Sequence, residues 1–297
     1  MLEKCNICPH KCNVDRNKNQ YGRCKLGVKP KLALVSLHTF EEPCISGENG
    51  SGTIFFSSCN LSCVYCQNFE ISQGDRKGKE VSIERLAEIF IEQQNRNAHN
   101  INLVTPTMYA EQIIEAIKIA KRNGLVIPII YNSNGYETLE TLKKLDGYID
   151  VYLPDFKYAE NTLGEKYSRV KEYADIAKLS IKEMYRQVGK PVLDKNGIIK
   201  KGLIIRHLIL PNNVENTKDV LKWFVENIDK NVYISVMAQY FPTYKSLEME
   251  DINRKVSEEE FKEILDYIEE LDIENGYIQE LESKEERYVP IFNFNNI

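Results

Sequence analysis

Three cysteines in the run Ser58-Cys59-Asn60-Leu61-Ser62-Cys63-Val64-Tyr65-Cys66-Gln67-Asn68 carry the strongest chemistry of this chain. Cys59, Cys63 and Cys66 are spaced C-x3-C-x2-C directly after an apolar, strand-like segment, Gly52-Thr53-Ile54-Phe55-Phe56. Iron–sulfur clusters take soft cysteine sulfur as ligands, and a loop of this length can fold three thiolates around one cubane. A four-iron cube has four corners, so the fourth iron is left for a ligand from outside the loop. An open coordination position is where a metal site does chemistry, whereas a closed one is structural or redox-only. A zinc loop or a set of buried free thiols is the plainer alternative.

With Tyr65 placed just before the third cysteine, this segment resembles the cluster loop of the radical S-adenosylmethionine (SAM) enzymes. The resemblance implies a [4Fe-4S] cluster whose open iron is chelated by the amino and carboxylate groups of SAM. One electron from the cluster then breaks the sulfur–C5′ bond, giving methionine and a 5′-deoxyadenosyl radical that abstracts hydrogen.

The chain has 297 residues, 42% hydrophobic and 28% charged, ordinary for a globular protein with one large α/β domain and a small appendage. No apolar run approaches the roughly 20 residues that span a bilayer, and Met1-Leu2-Glu3-Lys4-Cys5 lacks the apolar core of a signal peptide. A cytoplasmic location is expected, where clustered thiols among eight cysteines are metal ligands rather than disulfides. The net charge of −5 argues against nucleic acid, whose binding leans on phosphate neutralisation. Neither nucleic acid nor membrane is expected as a partner.

From Gly52 onward, apolar β-branched runs alternate with amphipathic stretches. Strands are expected at 53–57, 101–105, 126–131, 149–153, 203–210 and 232–237. Helices are expected at 82–94, 109–123, 136–145, 159–188, 217–228 and 257–271, with Ser82 as an N-cap. Such alternation indicates a parallel sheet with right-handed crossovers, which pattern alone does not distinguish from a doubly wound sheet. The radical SAM resemblance implies a partial (β/α)6 TIM-like barrel, open on one side. It would occupy residues 51–297 behind a Cys-rich N-terminal extension, residues 1–50. Lys190–Gly202 reads as an inserted loop or hairpin that could help cover the barrel mouth, and Tyr288–Phe294 as a tail without helical period.

In barrels of parallel strands the working residues sit at the C-terminal strand ends. Those ends carry Thr105 and Thr107, Asn132 and Ser133, Asp155 and Lys157, Arg206 and His207, and Gln239. For SAM, Thr105 and Thr107 supply hydroxyl and backbone groups for the amine, Asn132 and Ser133 suit ribose hydroxyls, and Lys157 or Arg206 suits the carboxylate. Asp155 would hold the sulfonium side or orient Lys157. Asn132 is equally a turn former, and Asp155–Lys157 equally a surface ion pair. His207 has a strand parity that points either into the barrel mouth or into the helix layer.

Beyond the cluster loop the chain resembles the pyruvate formate-lyase activating enzymes, most of all their PflX-like branch. The resemblance rests on Glu41-Glu42-Pro43-Cys44, Gly50-Ser51-Gly52-Thr53, Cys66-Gln67-Asn68, Val104-Thr105-Pro106-Thr107, Asn132-Ser133-Asn134-Gly135-Tyr136-Glu137, Leu153-Pro154-Asp155-Phe156-Lys157, Arg206-His207-Leu208 and Gln239-Tyr240. It implies an oxidoreductase acting on a protein or peptide, a glycyl-radical partner being the nearest subtype. It also implies an external electron donor of flavodoxin or ferredoxin type. The Asp155-x-Lys157 element resembles one that contacts SAM. One departure is that Thr105-Pro106-Thr107 stands where many radical SAM enzymes carry Gly-Gly-Glu, so no carboxylate is offered to the amine there.

Cys5, Cys8, Cys12 and Cys24 make a second set. Four thiolates at these spacings close a tetrahedral zinc site or ligate a second cluster, and a metal would supply the folding free energy of a segment too short for a core. Free thiols are the alternative. Cys44 stands outside both sets, as a further ligand, a radical-relevant thiol or a plain loop cysteine. A non-catalytic electron carrier or redox sensor is the competing class. It would require a fourth cysteine on the cluster, and Cys44 or an N-terminal thiol would have to provide it.

Overall fold

The computed structural model describes residues 2–279 together with Phe292, Phe294, Asn296 and Ile297. Strand β1 (Lys31–His38) runs into helix α1 (Pro43–Ser46), β2 (Ser51–Phe56), α2 (Phe69–Ser72), β3 (Lys79–Glu80) and α3 (Ile83–Asn95). There follow β4 (Ile101–Val104), α4 (Ala110–Arg122), β5 (Ile129–Ser133), α5 (Leu139–Leu145) and β6 (Val151–Pro154). Two helices, α6 (Asn161–Ser168) and α7 (Tyr173–Val188), precede β7 (Val192–Leu193), β8 (Ile199–Leu208), α8 (Val214–Asn227), β9 (Tyr233–Met237), α9 (Glu258–Glu270) and β10 (Gly276–Gln279).

The sheet order is β10-β9-β8-β6-β5-β4-β2-β1-β3. From β2 through β10 every neighbour along this path is parallel, and β1 is antiparallel to β2. This is the expected mixed α/β architecture with a parallel sheet, carried one strand further by β10. The sheet also begins earlier than expected: β1 lies within the residues read as the extension, so only the segment ahead of it stands apart from the sheet.

Two apolar layers hold the sheet. On one face, alternate strand residues such as Ile54, Ile101, Leu103, Ile129, Tyr131, Leu203 and Ile205 pack against the helices. On the other face, Ile130, Val151, Leu153 and Ile204 meet Cys44 and Ile45 of α1 inside the barrel. The helix periodicity survives intact, with Ser82 accepting a hydrogen bond from the Arg85 N–H and Ser257 and Glu260 closing a capping box on α9.

Two expectations are corrected. The stretch 159–188 is two helices, because Arg169 and Glu172 take left-handed backbone (φ 56° and 55°) and turn the chain between them. Lys190–Gly202 is a hairpin, β7–β8, turned at Asp194–Gly197, but it sits at the start of β8, opposite the strand ends that form the mouth. Its Ile198 packs over Gly47 beside His99, so it closes the barrel floor rather than covering the site. The tail Tyr288–Phe294 lies outside the described residues apart from Phe292 and Phe294. The Phe292 ring meets Phe55 edge-on with centroids 5.5 Å apart.

Glu137 is buried between β5 and α5, where Thr107 donates to it at 2.6 Å. Burial pushes its carboxyl up to about 8, against the opposing effect of Thr107 and its other hydroxyl neighbours. A carboxyl whose folded pKa is raised holds its proton better folded than unfolded. Stability therefore falls as pH rises from the unfolded carboxylate range to about 8, and levels off above. Glu137→Gln should remove that slope and stabilise the protein at pH 8.5, read as urea midpoints at pH 5 and pH 8.5. An unchanged slope would mean that Glu137 is ionised in the fold.

Candidate active site

The C-terminal ends of the parallel strands surround a cleft of about 620 Å³, within the range of small-molecule and cofactor sites. Cys59, Cys63 and Cys66 line it together with Tyr65, Thr105, Asn132, Ser133, Asp155, Lys157, Arg206 and Gln239. Among the described residues none of the other five cysteines lines this cleft. Phe40 beyond β1 and Tyr277 and Ile278 of β10 form its lateral rim, and among the described residues no strand pairs β10 with β1 or β3 there.

Each cluster-loop sulfur is met by a neighbouring donor. The Leu61 N–H and Asn134 Nδ2 reach Cys59 Sγ, both at 3.3 Å. Ser168 Oγ lies 3.0 Å from Cys63 Sγ, and Ser72 Oγ lies 3.2 Å from Cys66 Sγ. A hydroxyl chain continues from Ser168 to Tyr158 at 2.8 Å and from Tyr158 to Tyr65 at 2.6 Å. Burial pushes the Cys59 thiol up to about 12 and the Cys63 thiol up to about 11. Thiolates on this wall therefore need positive charge from a bound metal.

Lys157 Nζ and Asp155 Oδ2 form an ion pair at 2.6 Å on the cleft wall rather than on the outer surface. Burial opposes the lysine charge, but Asp155 together with Cys63 and Tyr173 outweighs it and holds the ammonium well above its ordinary range. Thr105 reaches the cleft on left-handed backbone (φ 59°) and donates its N–H to the Asn132 carbonyl at 2.9 Å.

Three of the expected cofactor residues stand differently. Thr107 is fully buried on Glu137, away from the cleft. His207 faces the helix layer, bonded to the Phe156 carbonyl at 2.7 Å and Thr217 Oγ1 at 2.9 Å. Arg206 does line the cleft, yet its Nε donates to Glu42 at 2.7 Å and its Nη2 is held by both Glu41 and Glu42. Glu42 is kept below its ordinary range despite burial, because Arg206 lies against it. Cys44 lies beneath this ion cluster in the barrel interior, its thiol pushed up to about 11 by burial. The sequence reading missed Asn134, Ser168 and Ser72. Asn134 alone had a signal, the strand-end turn Asn132-Ser133-Asn134-Gly135.

The family model of the Radical SAM superfamily matches residues 53–192, from β2 into β7. The chain belongs to the radical SAM superfamily. It is 33% identical over 288 residues to the uncharacterised protein MJ0674 of Methanocaldococcus jannaschii, covering 93% of this chain and 78% of that one. MJ1227 of the same archaeon, whose name assigns it provisionally to the glycyl-radical enzyme activating enzymes, is 32% identical over 133 residues, 43% of this chain and 52% of that one. In fold, the chain is similar to the FeFe-hydrogenase maturase HydG of Carboxydothermus hydrogenoformans (TM-score 0.54, 15% identity, 79% of this chain and 55% of that one). It is also similar to Streptococcus suis SuiB bound to its precursor peptide SuiA (TM-score 0.51, 15% identity, 75% and 47%). The chain thus spans about half the length of SuiB, HydG and MJ1227.

Membership implies a four-iron cluster and SAM, and the residues fit both. Three soft sulfurs face one cleft, each carries a hydrogen-bond donor of the kind that tunes cluster potential, and the space beside them holds a small molecule. Among the described residues no three His, Cys, Asp or Glu side chains, in this loop or elsewhere, stand in ligating geometry. Ser168, the last residue of α6, brings its hydroxyl to Cys63. Ser168→Ala should leave the fold intact while the reconstituted cluster is lost to a chelator about tenfold faster, a typical effect of removing a ligand's outer hydrogen bond. Bleaching of the cluster absorbance over time reads this out, and an unchanged rate would reduce Ser168 to packing.

Proposed function

We propose that this chain is a SAM-cleaving enzyme that abstracts hydrogen from a protein or peptide, with the glycyl-radical-enzyme activating type as the nearest subtype. The observation that carries this reading is the cleft wall with three thiols and, among the described residues, no fourth cysteine. That leaves a coordination position for an exchangeable ligand, which a four-cysteine electron carrier does not have. When bound, the cluster and SAM supply the electron and the 5′-deoxyadenosyl radical.

The chain's own residues would hold SAM. Lys157, already charged by Asp155, offers its remaining N–H donors to the carboxylate, and Thr105 faces the amine with hydroxyl and backbone groups. Asn132 and Ser133 lie beside it on β5 for the ribose, and Gln239 bounds the far wall. The tyrosine ring of Tyr65 shields the cluster side from water. MJ1227's name and SuiB's bound peptide support a polypeptide substrate. An external one-electron donor of flavodoxin or ferredoxin type would recharge the cluster. Among the described residues no helix is long and apolar enough to cross a membrane, and the eight cysteines are free thiols, which supports a reducing, cytoplasmic setting.

Anaerobic reconstitution followed by SAM and a strong reductant should release 5′-deoxyadenosine, and Cys63→Ala should abolish both release and cluster absorbance. Release from Cys63→Ala at the wild-type rate would sink the reading. Lys157→Met should keep the iron but weaken SAM binding about 10–100-fold, the worth of a charge-assisted hydrogen bond. Loss of iron instead would make Lys157 structural.

A further inference from the structure

Ahead of β1, the amino-terminal segment folds around a second, much smaller cavity of about 10 Å³. Cys5, Cys8, Cys12 and Cys24 all line it, with His10 and Arg16, the four thiols sharing one space without yet standing in ligating geometry. The backbone around the thiols is a series of tight turns. The Lys11 N–H reaches Cys8 O at 3.0 Å, the Asn13 N–H reaches Cys5 O at 2.9 Å, and the Lys25 N–H reaches Gly22 O at 3.1 Å. Lys11, Asn13 and Lys25 all adopt left-handed backbone. The Arg23 N–H points at Cys12 Sγ at 3.4 Å, and a Cβ on Gly22 would stand 2.8 Å from the same sulfur. The second turn can therefore approach Cys12 only because residue 22 is glycine.

Arg16 supplies the independent observation. It is 1% exposed, and its guanidinium donates only to carbonyls, to Gly27 O and to Met108 O at 2.8 Å. Among the described residues no carboxylate pairs with it, and none lines the cavity, whereas Lys11 and Arg23 do. Lys11 and Arg23 are exposed to solvent, but the buried Arg16 needs an anion, and uncharged thiols provide none.

We propose that Cys5, Cys8, Cys12 and Cys24 bind one thiophilic divalent cation, zinc in kind, as a closed tetrathiolate whose net negative charge is the counter-ion of Arg16. Four thiol protons leave to solvent as four metal–sulfur bonds form, with no change of oxidation state. The cavity, about 10 Å³, suits a single ion rather than a second cubane. The segment in turn braces the cluster loop from behind. His10 Nε2 donates to Asn60 O at 2.6 Å, Arg23 Nη2 to Ser62 Oγ at 3.2 Å, and Ser58 Oγ to Cys24 O at 2.6 Å. This assignment stands independently of SAM cleavage and is read without it.

The test uses full-length chain in which Cys59, Cys63 and Cys66 are all alanine, titrated anaerobically with Co²⁺. One equivalent should bind with the sulfur-to-cobalt charge-transfer and tetrahedral d–d bands of a tetrathiolate, and one Zn²⁺ should displace it. Adding Cys8→Ser and Cys12→Ser should abolish the bands, and adding Arg16→Gln should weaken binding about tenfold. No uptake, or uptake untouched by the serine changes, overturns the proposal. Should that variant not fold, elemental analysis of anaerobically purified wild-type protein decides: one zinc beyond the cluster iron supports the site. A doubled iron content without zinc, or no metal beyond the cluster, overturns it.

Discussion

Between β2 and α2 the chain leaves regular structure, and the backbone groups of a loop this buried must still find partners. That requirement organises the surrounding molecule. The Ser58 N–H goes to Ile71 O at 2.7 Å, the Ser62 N–H to Ser168 O at 3.0 Å, and the Val64 N–H to Tyr167 O at 2.8 Å. Val64 O accepts from the Ser246 N–H at 2.9 Å. Fully buried Asn60 donates to Tyr136 O at 2.7 Å and accepts from Asn134 at 2.7 Å. Three thiols thus acquire fixed directions from elements spread along the chain. The residues that satisfy the loop, Asn134 and Ser168, also touch its sulfurs.

Charge is the second constraint on the cleft. Two cations and three carboxylates share its wall, and in so desolvated a place neither cation would persist unpaired. Arg206 is neutralised by Glu41 and Glu42, and Lys157 by Asp155. The Arg206 cluster also carries structure, for it ties the turn between β1 and α1 to β8 across the barrel interior. Asn102 of β4 supports it by donating to Glu41 at 3.0 Å. Lys157 has only one carboxylate partner and keeps donors to spare, so of the two cations it is the better placed to receive a carboxylate. Groups already paired and oriented do not need to reorganise when a charged ligand enters.

The parallel sheet and the cleft were legible because their signals are local: apolar runs of strand length, helical periodicity with caps, and polar residues at strand ends. What failed needed tertiary knowledge. Arg206 and His207 are adjacent in β8 and point to opposite faces. Parity decides which is which only once Ile204 is known to face the barrel and Leu203 and Ile205 the helices. The break after Ser168 carried no glycine or proline signal, since Arg169 and Glu172 supply the left-handed turns themselves. Glu41 and Glu42 lie far from Arg206 in sequence, and β1 lies within the segment read as a Cys-rich extension.

The amino-terminal segment is placed by the hydrogen bonds that the first half of the cluster loop makes behind the cleft. Along the first part of the cluster loop, Ser58, Cys59, Leu61 and Cys63 line the cleft, while the Ser58 hydroxyl, the Asn60 carbonyl and the Ser62 hydroxyl bond to Cys24, His10 and Arg23. One side of the loop faces the chemistry and the other rests on a segment with too few apolar residues for a core of its own. That segment is pinned to the barrel by Arg16 on Met108 and by Thr138 and Thr141 on the Ile7 carbonyl, at 3.1 and 2.6 Å. Because the loop is a thin layer between them, any shift of the segment is passed to the thiols directly. The aim of the three sulfurs is therefore set in part by residues that never meet the cleft.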